Sequence, residues 1–227
     1  MKIINDTGKE LASLIFSLNS GLKIEQCFIQ SGRDKIPVNY KRDYSIIDVD
    51  ISKEKILQDD SINIVIEYKG NIDDRALFLE FDESKNRNTV DVILQEITGA
   101  IYCWRGKDYS FLLPETGWYP TIGADCGYEY PTRKRICFST SDVSITVPKG
   151  HTALTQGELI SSEIDKDESI YQWVSDIPVP KFSINSGKYK IVNTSIDSVN
   201  YYLYYSPGHN KNISFFTDVS DSLKAFI

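Results

Sequence analysis

The chain has 227 residues, 41% hydrophobic and 12% aromatic, so it is not disordered, and a chain of this length buries roughly 70% of the surface its unfolded form exposes. A formal net charge of -7 disfavours nucleic-acid phosphate and anionic lipid as partners, because both reward an excess of Lys and Arg. No run approaches the roughly 20 apolar residues of a membrane span, and Met1 to Glu10 lacks the apolar core of a signal peptide, so the chain as given reads as soluble and cytoplasmic; a domain excised from a membrane protein would look identical.

Along the chain, period-two alternation dominates over helical spacing. Strands are predicted at about 10–18, 23–30, 44–51, 61–68, 133–140 and 199–205. The cleanest is Ser61 to Tyr68, where Ile62, Ile64, Ile66 and Tyr68 share one face and Ser61, Asn63 and Glu67 the other. On the last strand Val199, Tyr201, Leu203 and Tyr205 fall together. Turn residues punctuate the strands at Asn19-Ser20-Gly21, Ser31-Gly32, Gln58-Asp59-Asp60, Gly70-Asn71 and Pro148-Lys149-Gly150. Many short strands with polar turns predict an all-β fold, antiparallel sheets packed as a sandwich or saddle over residues 1–206. No Pro-, Gly- or Ser-rich linker interrupts that span.

Residues 207–227 read as a linker and an amphipathic helix. Phe216, Val219, Leu223, Phe226 and Ile227 make one apolar stripe at spacings of three and four, and Thr217, Asp218, Ser220 and Asp221 suit its first turns. Two readings follow: the short helix opens a further domain, or it is a carboxy-terminal helix docked on the sheet.

The search for chemistry returns mostly exclusions. A zinc peptidase needs His-Glu-x-x-His on a helix plus a third ligand, whereas this chain has only His151 and His209, neither with a Glu or His at the required offset. No catalytic, metal-binding or cofactor-binding residue is therefore assigned. Cys27, Cys103, Cys126 and Cys137 show no Cys-x-x-Cys spacing and read as buried small hydrophobes, with a Cys103–Cys126 disulfide as the alternative. A cysteine paired with His151 as nucleophile is a remote reading. Asp165-Lys166-Asp167-Glu168-Ser169 has the oxygen alternation that opens a calcium loop, but Ile170 and Asp176 stand where that loop needs Gly and Glu, so a solvated hairpin turn is expected. Glu158 and Glu163, five apart, fall on opposite faces of a regular strand. Trp104, Tyr109, Trp118, Tyr119, Tyr128 and Tyr130 cluster in one region, either as core or as exposed platforms for a sugar or an extended peptide. Trp173 reads as core.

Several segments, in order, carry a family resemblance. Leu11 to Leu22, ending in Leu18-Asn19-Ser20-Gly21-Leu22, returns through Ile24 to Ile29. Ile62 to Gly70 closes on Tyr68-Lys69-Gly70. Gly117-Trp118-Tyr119-Pro120, Val143 to Pro148, and Pro180 to Tyr189 with Gly187 follow. Together they resemble the amino-terminal β domain of a zinc aminopeptidase of the M1 family. The similarity is to the divergent bacterial group, in which such peptidase domains are sometimes attached to transporter-like membrane segments. Trp118-Tyr119-Pro120 replaces the usual Phe-Pro-Cys, and Thr121 to Asp125 stands where Asp-Glu-Pro normally follows.

The resemblance implies a non-catalytic scaffold that walls the substrate cleft, with zinc held elsewhere in a parent enzyme. It also implies the chain's own catalytic domain, or a peptide substrate, as partner, and makes 213 onward the place where that domain's first helix begins. A polar side chain before the aromatic-Pro turn enters the substrate pocket in that family, and Glu115 is the candidate here. The alternative function is a freestanding module binding a glycan or an extended peptide through its aromatics.

Overall fold

Alternating apolar residues can bury one face of a strand only if a second layer covers it, and in each of two units that layer is another sheet. The computed structural model describes residues 1–73, 103–123, 138–196 and 199–208. Among them every regular element is a strand, apart from a single 3-10 turn at Pro114–Thr116. They divide into two compact units, the first drawn from 1–73, 103, 112–123 and 138, the second from 104–111, 139–196 and 199–208.

The first unit holds two four-stranded antiparallel sheets. One has the order β1 (Lys2–Ile4), β7 (Ser61–Gly70), β3 (Leu22–Ser31), β4 (Asp34–Pro37), and the other β10 (Thr121–Ile122), β2 (Ser13–Ser17), β6 (Ile46–Asp50), β5 (Tyr40–Asp43). One buried cluster draws from both: Phe16, Ile47 and Val49 from one sheet, Ile29, Ile62 and Ile64 from the other. That is a sandwich. Each such side chain contributes about 1.5–3 kcal/mol by leaving water, and Phe16, Ile47 and Ile64 are fully buried.

β3 shows how local irregularity serves this core. Ile24 pairs with Tyr68 and Gln26 with Glu67, so Glu25 is an extra residue. The bulge shifts the inward set from Leu22 and Ile24 to Cys27 and Ile29, and all four reach the same cluster. Glu25 itself pairs with Lys69, both side chains exposed.

The second unit contains a three-stranded sheet, β11 (Ser139–Pro148), β14 (Glu168–Val179), β13 (Glu158–Asp165), a sheet in the order β12 (Thr152–Leu154), β15 (Ile184–Gly187), β9 (Tyr109–Leu112), β8 (Cys103–Arg105), and a two-stranded ribbon of β16 (Lys190–Ile196) and β17 (Val199–Tyr205). Its core is Ile145, Val147, Ala153 and Trp173, with Val143, Leu154, Tyr171 and Ile184 against them. The Trp173 indole donates to the Ala153 carbonyl at 3.1 Å and the Tyr171 hydroxyl to the His151 carbonyl at 3.0 Å, so both aromatics bury their rings without stranding a polar atom.

Asp165 pairs with Glu168 across a two-residue connection, Lys166-Asp167, with Lys166 at a φ of 46°. The expected hairpin turn is what stands there. The strand that carries Glu158 and Glu163 is not regular: Leu159 pairs with Trp173 and Ser161 with Gln172, leaving Ile160 as a bulge. Glu158 then opposes Val174 and Glu163 opposes Ile170, four residues apart on β14, so both carboxylates lie on one face instead of two.

The predicted strand at 133–140 lies outside the described residues up to 137, and β11 begins at Ser139. The short helix predicted after residue 213 lies outside them as well, together with Cys126, Cys137, Tyr128, Tyr130 and His209.

Candidate functional site

In the first unit the sequence-predicted turn is built by a short-range hydrogen-bond circuit. Pro114 opens the 3-10 turn, Thr116 donates from its hydroxyl to the Leu113 carbonyl at 2.7 Å, and Gly117 donates its N–H to the Pro114 carbonyl at 3.0 Å. Gly117 closes the turn with φ 61° and ψ 35°, a left-handed conformation that favours glycine. Trp118 and Tyr119 follow, half-buried, their rings in an edge-to-face pair with centroids 4.6 Å apart. The Tyr68 hydroxyl donates to the Trp118 carbonyl at 3.0 Å, and burial pushes its pKa up. Pro120 is buried. Together with β7 this turn borders a shallow apolar depression of about 310 Å³, lined by Ile64, Val65, Ile66, Tyr68, Tyr119 and Pro120.

Sequence reasoning missed the side chain that holds this region together. Asn19 is buried and uses its full amide capacity: it donates to the carbonyls of Thr116 (2.9 Å) and Asp73 (3.1 Å), and accepts from the N–H groups of Gly21 (3.0 Å) and Asp73 (2.8 Å). Arg42 on β5 clamps the same connection, its guanidinium donating to the carbonyls of Leu18 (3.2 Å), Asn19 (2.7 Å) and Leu22. Desolvation lowers the Arg42 pKa. The available signal was the Leu-Asn-x-Gly-Leu run itself, read as a turn; nothing near Arg42 marked it.

Glu115 stands on the 3-10 turn with its side chain exposed. It belongs to the same segment as Gly117, Trp118, Tyr119 and Pro120 but is not among the residues lining the depression.

Gly187 and Tyr189 lie in the second unit. A Cβ on Gly187 would sit 2.3 Å from the Tyr109 ring, so glycine is needed to seat that aromatic. Tyr109 donates from its hydroxyl to the Lys188 carbonyl at 3.1 Å, and Lys188 pairs with Asp108 at 2.7 Å. The Tyr109 and Tyr189 rings are 5.4 Å apart, Tyr189 and Tyr204 6.3 Å, Tyr204 and Tyr202 6.5 Å. Burial first, then the neighbouring tyrosine, raises the pKa of Tyr189 and of Tyr204. The predicted aromatic cluster is thus divided, with Trp104 and Tyr109 in one unit and Trp118 and Tyr119 in the other.

Among the described residues no three His, Cys, Asp or Glu side chains gather where they could hold a metal ion. The residues described therefore do not fit a zinc centre. Cys27 falls in the first unit and His151 in the second. Cys27 is buried, as a small hydrophobe would be, and burial pushes its thiol up to about 11. No described helix is long and apolar enough to cross a membrane.

The all-β fold of this chain is similar to part of solved M1 zinc metallopeptidases. The one from Deinococcus radiodurans aligns over 89% of this chain and 42% of its own length, with a TM-score of 0.62 and 13% identity. A mutant of the two-domain enzyme bound to L-arginine aligns over 87% and 40% (TM-score 0.59, 13% identity), and a Deinococcus radiodurans mutant bound to a Tyr-Ser-Ala substrate over 91% and 44% (TM-score 0.58, 13% identity). The likeness is to the amino-terminal domain of such enzymes, and at this identity it is one of fold. The chain spans about two fifths of the length of the structures it matches. No family model matches it, and no curated protein matches it in sequence.

Proposed function

We propose that this chain is the non-catalytic amino-terminal domain of an M1-like metallo-aminopeptidase, serving as scaffold and as one wall of the substrate cleft. The observation that carries the reading is the fold likeness that covers 89% of this chain and only 42% of an M1 peptidase.

In this reading the chain's residues do structural work. Asn19 and Arg42 lock the connection on which Thr116 rests, Tyr68 holds the Trp118 carbonyl, and the apolar depression beside Tyr119 and Pro120 offers a surface to the catalytic domain. Glu115, exposed at the start of the turn, is the side chain assigned to the substrate pocket. Zinc and the hydrolytic groups belong to the remainder of the enzyme, and the partners are that catalytic domain and a peptide substrate.

The test is the size of the native protein in its source cells, by immunoblot with antibodies against this chain. The expected band runs far above 25.8 kDa, the mass of the chain itself. A single band at that mass would sink the proposal.

A second reading is favoured by one observation: Trp104 and Tyr202, both in the second unit, are 55% and 53% exposed. Exposed aromatic rings of this kind suit a module that binds a glycan or an extended peptide. Tryptophan fluorescence of the full chain, titrated with oligosaccharides, discriminates the two: a saturable change lost in Trp104→Ala supports the module, and no change supports the scaffold.

A further inference from the structure

The second unit exposes a strand edge with an uncommon combination of features. β13 pairs with β14 on one side and with no other described strand, and seven of its eight residues are exposed. Leu159, Ile160 and Ile164 leave 39%, 56% and 71% of their surfaces in water. An exposed edge with apolar side chains is a template for another strand, and proteins blunt such edges with charged side chains, proline, bulges or very short strands; β13 carries a bulge at Ile160 and three carboxylates, which restrict the strands that can pair with it. β13 contains no lysine and no proline.

Its two faces differ in kind. Leu159 lies in the cross-strand row of Val143 and Trp173, and Ile164 in that of Val147 and Ser169, so both extend the face that carries the core. The Ile160 bulge brings Glu158, Glu163 and Asp165 together on the opposite face, and Asp165 stands beside Glu168 across the hairpin. Three carboxylates and no base on eight residues give the edge a definite sign.

That sign selects the occupant. A second copy of β13 docked antiparallel with all eight residues overlapping would set Glu158 opposite Asp165 twice, and like charges directly opposed destabilise a strand pair. A cationic strand meets the same carboxylates with favourable cross-strand pairs. We propose that the outer edge of β13 binds an extended polypeptide in which basic and apolar residues alternate, by strand addition. Its backbone continues the hydrogen-bond ladder, its apolar side chains lie beside Leu159 and Ile164, and its Lys or Arg side chains lie opposite Glu158, Glu163 and Asp165. The site is independent of the turn at Gly117 to Pro120, and the proposal does not rest on the peptidase reading.

The test uses the full chain and a fluorescent acetylated peptide of four Val-Lys repeats, matched in length to β13. Anisotropy should show saturable binding that weakens as salt rises. The double substitution Glu158→Lys with Glu163→Lys, at two exposed positions, should lower affinity by about tenfold or more and restore binding to the Val-Glu counterpart. Hydrogen exchange with peptide bound should slow at the amides of residues 158–165. Absence of binding up to about 1 mM peptide, affinity unchanged in the charge-reversed chain, or protection appearing on another strand would each overturn the proposal.

Discussion

Cys27 illustrates how a single position carries both packing and a pH dependence. It sits opposite Ile66 on β3, buried in the larger core, and desolvation holds its thiol protonated to about 11, against an ordinary value near 9. Between those values the unfolded thiol has ionised while the folded one has not, so the folded state binds the extra proton. Stability is therefore undiminished by this group below about pH 9 and falls as pH rises through the window to about 11. We expect the urea midpoint of the chain to drop between pH 8.5 and 10.5, and to drop less in Cys27→Ala. Tyr68, Tyr189 and Tyr204, also shifted upward, contribute in the same direction in both proteins, so the difference between the two isolates Cys27. Equal drops would show that the thiol is not desolvated.

At the scale of the element, the connection between β2 and β3 is where side chains take over from the backbone ladder. Asn19→Ala removes four hydrogen bonds, one buried and three part-buried, which we expect to cost about 2–4 kcal/mol. Arg42→Lys keeps the charge but loses the fork that reaches three carbonyls, for about 1–2 kcal/mol. Because the Arg42 guanidinium donates to the Asn19 carbonyl, the double variant should depart from additivity by more than about 0.5 kcal/mol in urea denaturation; strict additivity would mean that the clamp and the amide act separately. Strands such as β7 and β17 were legible because alternation is a local property of the chain. The bulges at Glu25 and Ile160 were not, since an extra residue is defined only against its partner strand. Glu158 and Glu163 were accordingly read onto opposite faces. Asn19 was visible as a turn residue and invisible as a hub, because its partners lie 54 and 97 residues away. Gly117 and Gly187 were singled out by resemblance, and their geometric reasons, a left-handed turn and a seated tyrosine, appear only in three dimensions.

At the scale of the molecule the described residues of the two units form cores of different size. Among the described residues fourteen buried ones form the cluster in the first and four in the second, so the apolar surface that these remove from water favours the first. The second unit also takes Trp104–Phe111 from within the sequence span of the first, which is why no composition break marks it. Local stability follows buried apolar contact, and native-state hydrogen exchange in rising urea should resolve the difference: amides of β11 and β14 should open at least about 1–2 kcal/mol more easily than those of β2, β6 and β7. Trp173→Ala sharpens the test. It deletes the largest buried side chain of the smaller core and the hydrogen bond to Ala153, and should lower the opening free energies of β11 and β14 by about 3–5 kcal/mol. Amides around Phe16 and Ile47 should then move by less than about 0.5 kcal/mol, as sites without shared partners do. Equal shifts in both sets would instead make the chain a single cooperative unit, in which the larger core stabilises every strand.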